Sequence, residues 1–189
     1  MRDEDLHSLP EGLPVPVDDG ACDHLTGLPM PAVPLLATDG SMVRLDIPVP
    51  GRTIVFAYPR TGEVDAEPPG GLEAWNLIPG ARGCTPQACA YRDHHAELAA
   101  EGARVFGLST QDSAYQREMA ERLHLPFAVL SDERLELTLA LGLPTFVHAG
   151  LTLLKRHTIV IRDGRIEHVF YPVFPSDRDA TQVLDWLRG

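Results

Sequence analysis

The sequence predicts an α/β domain, a mixed central β-sheet flanked by helices, with a proline-rich N-terminal extension in front. Three observations carry this. Thr53-Ile54-Val55-Phe56-Ala57-Tyr58 is an unbroken apolar run, the pattern of a strand buried on both faces. Strand and helix patterns alternate from there to about residue 141. The chain then closes with two strand patterns joined at Asp163-Gly164, a strong hairpin signal, and a last helix.

Taken in order, residues 1–30 form the extension, carrying Pro10, Pro14, Pro16 and Pro29 but few periodic apolar positions. They read as a lead-in that packs on the domain or stays partly mobile. The domain itself spans 31–189. Thr38-Asp39-Gly40-Ser41 reads as a turn between short strands near 34–37 and 42–45. After the buried strand comes a long insertion, 59–83, with Pro68-Pro69-Gly70-Gly71 in its middle. Connections of that length inside a compact domain are often functional. This one also holds Leu72, Trp75, Leu77 and Ile78, so it reads either as an excursion with its own apolar cluster or as a cover over an active site. A helix should start near Thr85, with Pro86 in its first turn, where a missing N–H has no cost, and run to Gly102. A strand over 104–109, a helix over 114–123, a strand over 127–130 and a helix over 133–141 follow, the last stopped by Gly142 and Pro144. The hairpin strands are 155–162 and 165–173, and 177–188 is the closing helix.

At 189 residues, with 44% apolar and 23% charged residues, the chain is long enough to bury one core without covalent staples. Its net charge of −11 disfavours nucleic acid and anionic membrane surfaces as partners. No stretch approaches a membrane span, and the acidic start Met1-Arg2-Asp3-Glu4-Asp5 does not read as a secretory signal. Three cysteines, Cys22, Cys84 and Cys89, are too few for a disulfide scaffold. They suit a reducing compartment, so a cytoplasmic location is expected. Cys22 and the pair His94-His95 read as incidental, and Asp112 and Asp132 as caps or turn residues.

The chemistry concentrates at Gly83-Cys84-Thr85-Pro86-Gln87-Ala88-Cys89. A thiol at a helix N-terminus faces unpaired backbone N–H groups and the positive end of the helix dipole, and both favour the anionic sulfur that acts as a nucleophile. Cys89 lies five residues on. In a regular helix the two Cα atoms are separated by about 7.5 Å along the axis, beyond the roughly 4.4–6.8 Å that a disulfide spans. A bond between them therefore requires the first turns to unwind.

These residues, followed by Arg92-Asp93, resemble the active-site segment of the bacterioferritin comigratory protein, or PrxQ-type, peroxiredoxins. The resemblance runs through most of 31–188 and includes Phe56-Ala57-Tyr58-Pro59, Gly107-Leu108-Ser109-Thr110, Leu130-Ser131-Asp132, Arg156-x-Thr158-Ile159-Val160-Ile161 and Gly164-Arg165-Ile166-Glu167-His168-Val169-Phe170. It implies a thioredoxin-like fold, and a thiol-dependent peroxidase that reduces hydrogen peroxide or organic hydroperoxides. Cys84 would be the peroxidatic cysteine, Cys89 the resolving cysteine, and Arg156 the arginine that stabilises thiolate and peroxide. It implies recycling by thioredoxin or a similar dithiol, a monomer or homodimer, and neither cofactor nor metal. The chain departs from the family pattern at Ala81, where the family carries threonine, and at Leu77, where it carries proline. The Thr85 hydroxyl is the candidate to replace the missing threonine. Other readings of the same residues are a thiol–disulfide oxidoreductase or redox sensor on this fold, a binding protein without turnover, and a zinc site built from Cys84, Cys89 and His94 or His95.

Overall fold

The computed structural model describes residues 9–63 and 66–189. The first eight residues of the extension and residues 64–65 of the insertion lie outside the described residues. Strands β1 (Pro34–Ala37) and β2 (Met42–Arg44) pair antiparallel. Asp39 Oδ1 accepts the Ser41 N–H at 2.9 Å in the turn between them. β3 (Arg52–Ala57) follows, then helices α1 (Leu72–Asn76), α2 (Cys84–Asp93) and α3 (His95–Ala100). Next come β4 (Ala103–Ser109), α4 (Ser113–Arg122), β5 (Val129–Ser131) and α5 (Glu136–Leu141). The chain ends with β6 (Thr145–His148), β7 (Leu151–Leu154), β8 (His157–Arg162), β9 (Arg165–Phe170), a 3-10 turn (Ser176–Arg178) and α6 (Asp179–Arg188).

Seven strands form one mixed sheet in the order β2-β1-β5-β4-β3-β8-β9. β3 is an interior strand beside the central β4, parallel to β4 and antiparallel to β8. Its uninterrupted apolar run reflects two cores. Ile54, Phe56 and Tyr58 meet α2, α4 and α6 on one face. Val55 and Ala57 meet α5 and the lead-in residues Cys22, Leu25 and Met30 on the other. The described part of the extension is therefore packed on the domain, with Leu25 fully buried. Asp163 and Gly164 both take positive φ, 52° and 73°, and close the β8–β9 hairpin as the dipeptide predicts.

Three features differ from the sequence reading. The single helix expected up to Gly102 is two, because the backbone leaves helical geometry at His94 (φ −96°, ψ 7°). Asp93, His94 and His95 are among the weaker helix formers, and their succession marks the break. A hairpin, β6–β7, occupies 145–154, to which the sequence reading assigns nothing. Its turn, Ala149-Gly150, uses positive φ at both residues without the usual Asn or Asp signal. The insertion also contains the short helix α1. Asp112 caps α4 by accepting the Tyr115 N–H at 2.8 Å, and Asp132 caps α5 by accepting from Leu137 and Thr138.

Candidate active site

Gly83 is the N-cap of α2, with φ 104°, a region costly for any residue with a Cβ. Space enforces the same choice. A Cβ there would lie 2.3 Å from Ser176 Oγ, whose hydroxyl donates to the Gly83 carbonyl at 2.8 Å. The 3-10 turn before α6 thus clasps the entry to α2 and sets Cys84 as that helix's first residue. Cys84 is only 6% exposed, yet it borders a cavity of about 500 Å³. Thr85 and Pro86 line it from the helix, and Arg60, Trp75 and Arg82 from the insertion. The insertion is both things the sequence allowed. Trp75 and Ala81 pack with Leu153 of β7 into a third apolar cluster, while neighbouring residues wall the cavity.

Arg156, immediately before β8, reaches this point from across the sheet. Its Nη2 donates to Cys84 Sγ at 3.3 Å and to the carbonyls of Ala81 and Arg82, each at 3.2 Å. Its Nε donates to the Gly80 carbonyl at 3.2 Å, and its Nη1 to Gln87 Oε1. Arg156 as a residue is 3% exposed, and the hydrogen-bond acceptors of its guanidinium are neutral oxygens and the sulfur. The buried cation is hydrogen-bonded to no carboxylate, and one of its N–H groups is aimed directly at the sulfur. Ala81, at the family's threonine position, contributes a carbonyl that also accepts from Cys84 Sγ at 3.7 Å.

Gln87 sits one helical turn beyond Cys84, fully buried. Its Nε2 donates to Asp179 Oδ2 at 2.7 Å, and the Thr158 hydroxyl donates to the same oxygen at 2.7 Å. The Tyr91 hydroxyl lies 3.4 Å from Thr158 Oγ1. Burial pushes the Asp179 carboxyl above the usual range, partly offset by these bonds. Cys89 is 1% exposed among core residues, and burial pushes its thiol up. Both cysteines are free, as is Cys22. Cys22 lies in the other core, where burial and the nearby Asp18, Asp19 and Asp23 push its thiol to about 12. Such a thiol is a poor nucleophile.

Of the residues singled out in the sequence, the structure brings Cys84, Thr85 and Arg156 together. It sets Cys89 further along α2, facing the core. His94 turns to Glu97, 2.8 Å away, and the His95 ring lies against Phe127. Among the described residues no group of three or more His, Cys, Asp or Glu side chains is arranged to hold a metal ion. Sequence reasoning gave no role to Gln87, although its i, i+3 spacing from Cys84 placed it on the right face. Asp179 and Ser176 had no sequence signal, lying 92 and 93 residues from their partners Gln87 and Gly83.

A helix-mouth cysteine under a buried arginine, on a mixed sheet with helices on both faces, defines a thioredoxin-like thiol protein. The redoxin family model matches residues 25–184, and the chain belongs to that family. Its likeness within the family is to the PrxQ-type peroxiredoxins. It is 33% identical to the putative peroxiredoxin Q, chloroplastic, of Oryza sativa subsp. indica over 108 residues, 57% of this chain and 49% of that protein. Identity to the Arabidopsis thaliana peroxiredoxin Q, chloroplastic, is 32% over the same shares. The matched region thus spans about half the length of these curated relatives. Among solved structures, peroxidoxin BcpB from Mycobacterium tuberculosis superposes with a TM-score of 0.69 at 27% identity, covering 87% of this chain and 97% of that one. Xanthomonas campestris peroxiredoxin Q does so with 0.63 at 16% identity, covering 93% and 96%, a likeness of fold.

Proposed function

We propose that the chain is a thiol-dependent peroxidase acting on hydrogen peroxide or organic hydroperoxides. The observation that carries this is Cys84 Sγ at a helix N-terminus, bordering a cavity and 3.3 Å from the buried Arg156 guanidinium. The Cys84 thiolate attacks one peroxide oxygen and the O–O bond breaks. The sulfur becomes a sulfenic acid, and the released alkoxide or hydroxide takes a proton to leave as alcohol or water. Arg156 N–H groups, aimed at the sulfur, stabilise the charge that passes from sulfur to oxygen. The Cys89 thiol then displaces the sulfenic oxygen as water, forming a disulfide once α2 has unwound. Thioredoxin or a similar dithiol restores both thiols by exchange and is itself oxidised. Cysteine usage favours a reducing compartment, the cytoplasm, for this cycle.

The test is stopped-flow mixing of reduced protein with peroxide, followed by mass mapping. We expect second-order thiol loss, one alcohol and one water released per organic hydroperoxide or two waters per hydrogen peroxide, and a Cys84–Cys89 bridge. Cys84→Ser should abolish the reaction. Cys89→Ser should keep the first turnover and stop at the sulfenic acid. Insulin reduction with no peroxide consumption would replace this reading with a disulfide oxidoreductase.

A further inference from the structure

Asp179 is the first residue of α6, just after the N-cap Arg178, where the helix dipole favours a carboxylate facing solvent. Here the N-terminus of α6 shows no side-chain cap, and the fully buried Asp179 points into the neighbouring α2. Oδ2 takes both donated bonds, from Gln87 Nε2 and the Thr158 hydroxyl, while Oδ1 has no partner. A glutamine amide has two unlike ends. With its nitrogen held by an acceptor, its oxygen must face the other way, and there it accepts from Arg156 Nη1. Turned over, the amide would set N–H groups against the guanidinium, with no acceptor for either.

We propose that Asp179 is a positioning residue for the reaction. It locks the Gln87 amide, and through it the Arg156 guanidinium, onto Cys84, making the seat of the C-terminal helix part of the active site. An oxygen with Asp179's geometry accepts whether the carboxyl is charged or neutral, so the role is that of an oriented acceptor. The inference deepens the peroxidase reading and rests on it for the reaction served. The Cys84 environment can nevertheless be measured without peroxide.

The experiment follows Cys84 alkylation by iodoacetamide across pH, quantified by mass, alongside stopped-flow peroxide reduction. Asp179→Ala should move the alkylation profile to higher pH and slow both reactions at neutral pH by at least fivefold. Asp179→Asn, which keeps a carbonyl acceptor, should recover the wild-type profile to within twofold. Gln87→Glu sets two carboxyl groups against each other and should be slow. Gln87→Leu, which removes the amide between Asp179 and Arg156, should reproduce the Asp179→Ala shift. An Asp179→Ala profile that overlays the wild type overturns the proposal, as does an Asp179→Asn shift equal to that of Asp179→Ala. If Asp179→Ala does not fold, a Gln87→Leu profile that overlays the wild type overturns it. Loss of peroxide turnover in the wild type, with the alkylation effects intact, would sink the peroxidase reading and leave the positioning role standing.

Discussion

Three hydroxyl side chains line the cavity beside Cys84: Thr61, whose hydroxyl donates to Gln111 Oε1 at 3.2 Å, Thr85 and Tyr115. Ala81 stands where relatives are expected to carry threonine, and its buried methyl packs with Trp75 and Leu153. Thr85 is the hydroxyl next in the chain, half-buried and lining the cavity. If it helps to hold the peroxide, Thr85→Val should slow peroxide reduction about tenfold, the scale of one lost hydrogen bond of roughly 1.4 kcal/mol. An unchanged stopped-flow rate would remove Thr85 and leave the Arg156 donors as the peroxide's partners. The residue types at this site were readable in the sequence, because a cysteine preceded by glycine and followed by threonine and proline is a helix start. Gln87's orientation was not, because an amide is aimed by what lies beyond it, and Asp179 is 92 positions away in the chain.

At the scale of elements, the proposed cycle makes two demands of α2, seating Cys84 when reduced and unwinding to let Cys89 reach it. The break at His94 confines that rearrangement, since α3 is a separate helix whose Leu98 stays in the core. The entry to α2 depends on Gly83. Gly83→Ala meets both a positive φ and Ser176 Oγ at 2.3 Å, with Leu9 Cδ2 at 2.5 Å. We expect a loss of about 1–3 kcal/mol in chemical denaturation, together with slower thiol chemistry as Cys84 shifts from the helix mouth. Full stability and full rate in this variant would show that the Ser176 clasp does not set the site. The β3 strand, the β8–β9 hairpin and α6 could be read from pattern and turn chemistry. The β6–β7 hairpin could not, since Ala149-Gly150 lacks a turn signal and the strands pair in a separate two-stranded sheet.

For the molecule as a whole, the sheet separates two cores, and His157 shows how firmly the second is closed. It is fully buried, its Nδ1 faces the Lys155 carbonyl at 2.8 Å, and its Nε2 has no partner. Burial pushes its pKa down from 6.5 to about 4. A histidine depressed in the folded state stays neutral there while the unfolded chain takes up a proton. Stability is therefore full above about pH 6.5 and falls as the pH drops towards 4. The drop attributable to this residue is about 3 kcal/mol. Denaturation curves for the wild type and His157→Gln, compared between pH 7 and 4.5, should converge as the pH falls. Parallel curves would show that His157 does not titrate this way.

By itself the sequence determined the α/β class, the buried strand β3, the closing hairpin and helix, and the helix start near Cys84. All of these depend on local pattern: apolar periodicity, a dipeptide turn, a helix start. Only the tertiary structure decided that the insertion is a cavity wall, that Arg156 is held by three insertion carbonyls, and that α6 reaches the site through Asp179. Those arrangements depend on which distant backbone groups face one another when the sheet is assembled, and a buried polar atom's partner is set by three-dimensional proximity, not by its neighbours in the chain.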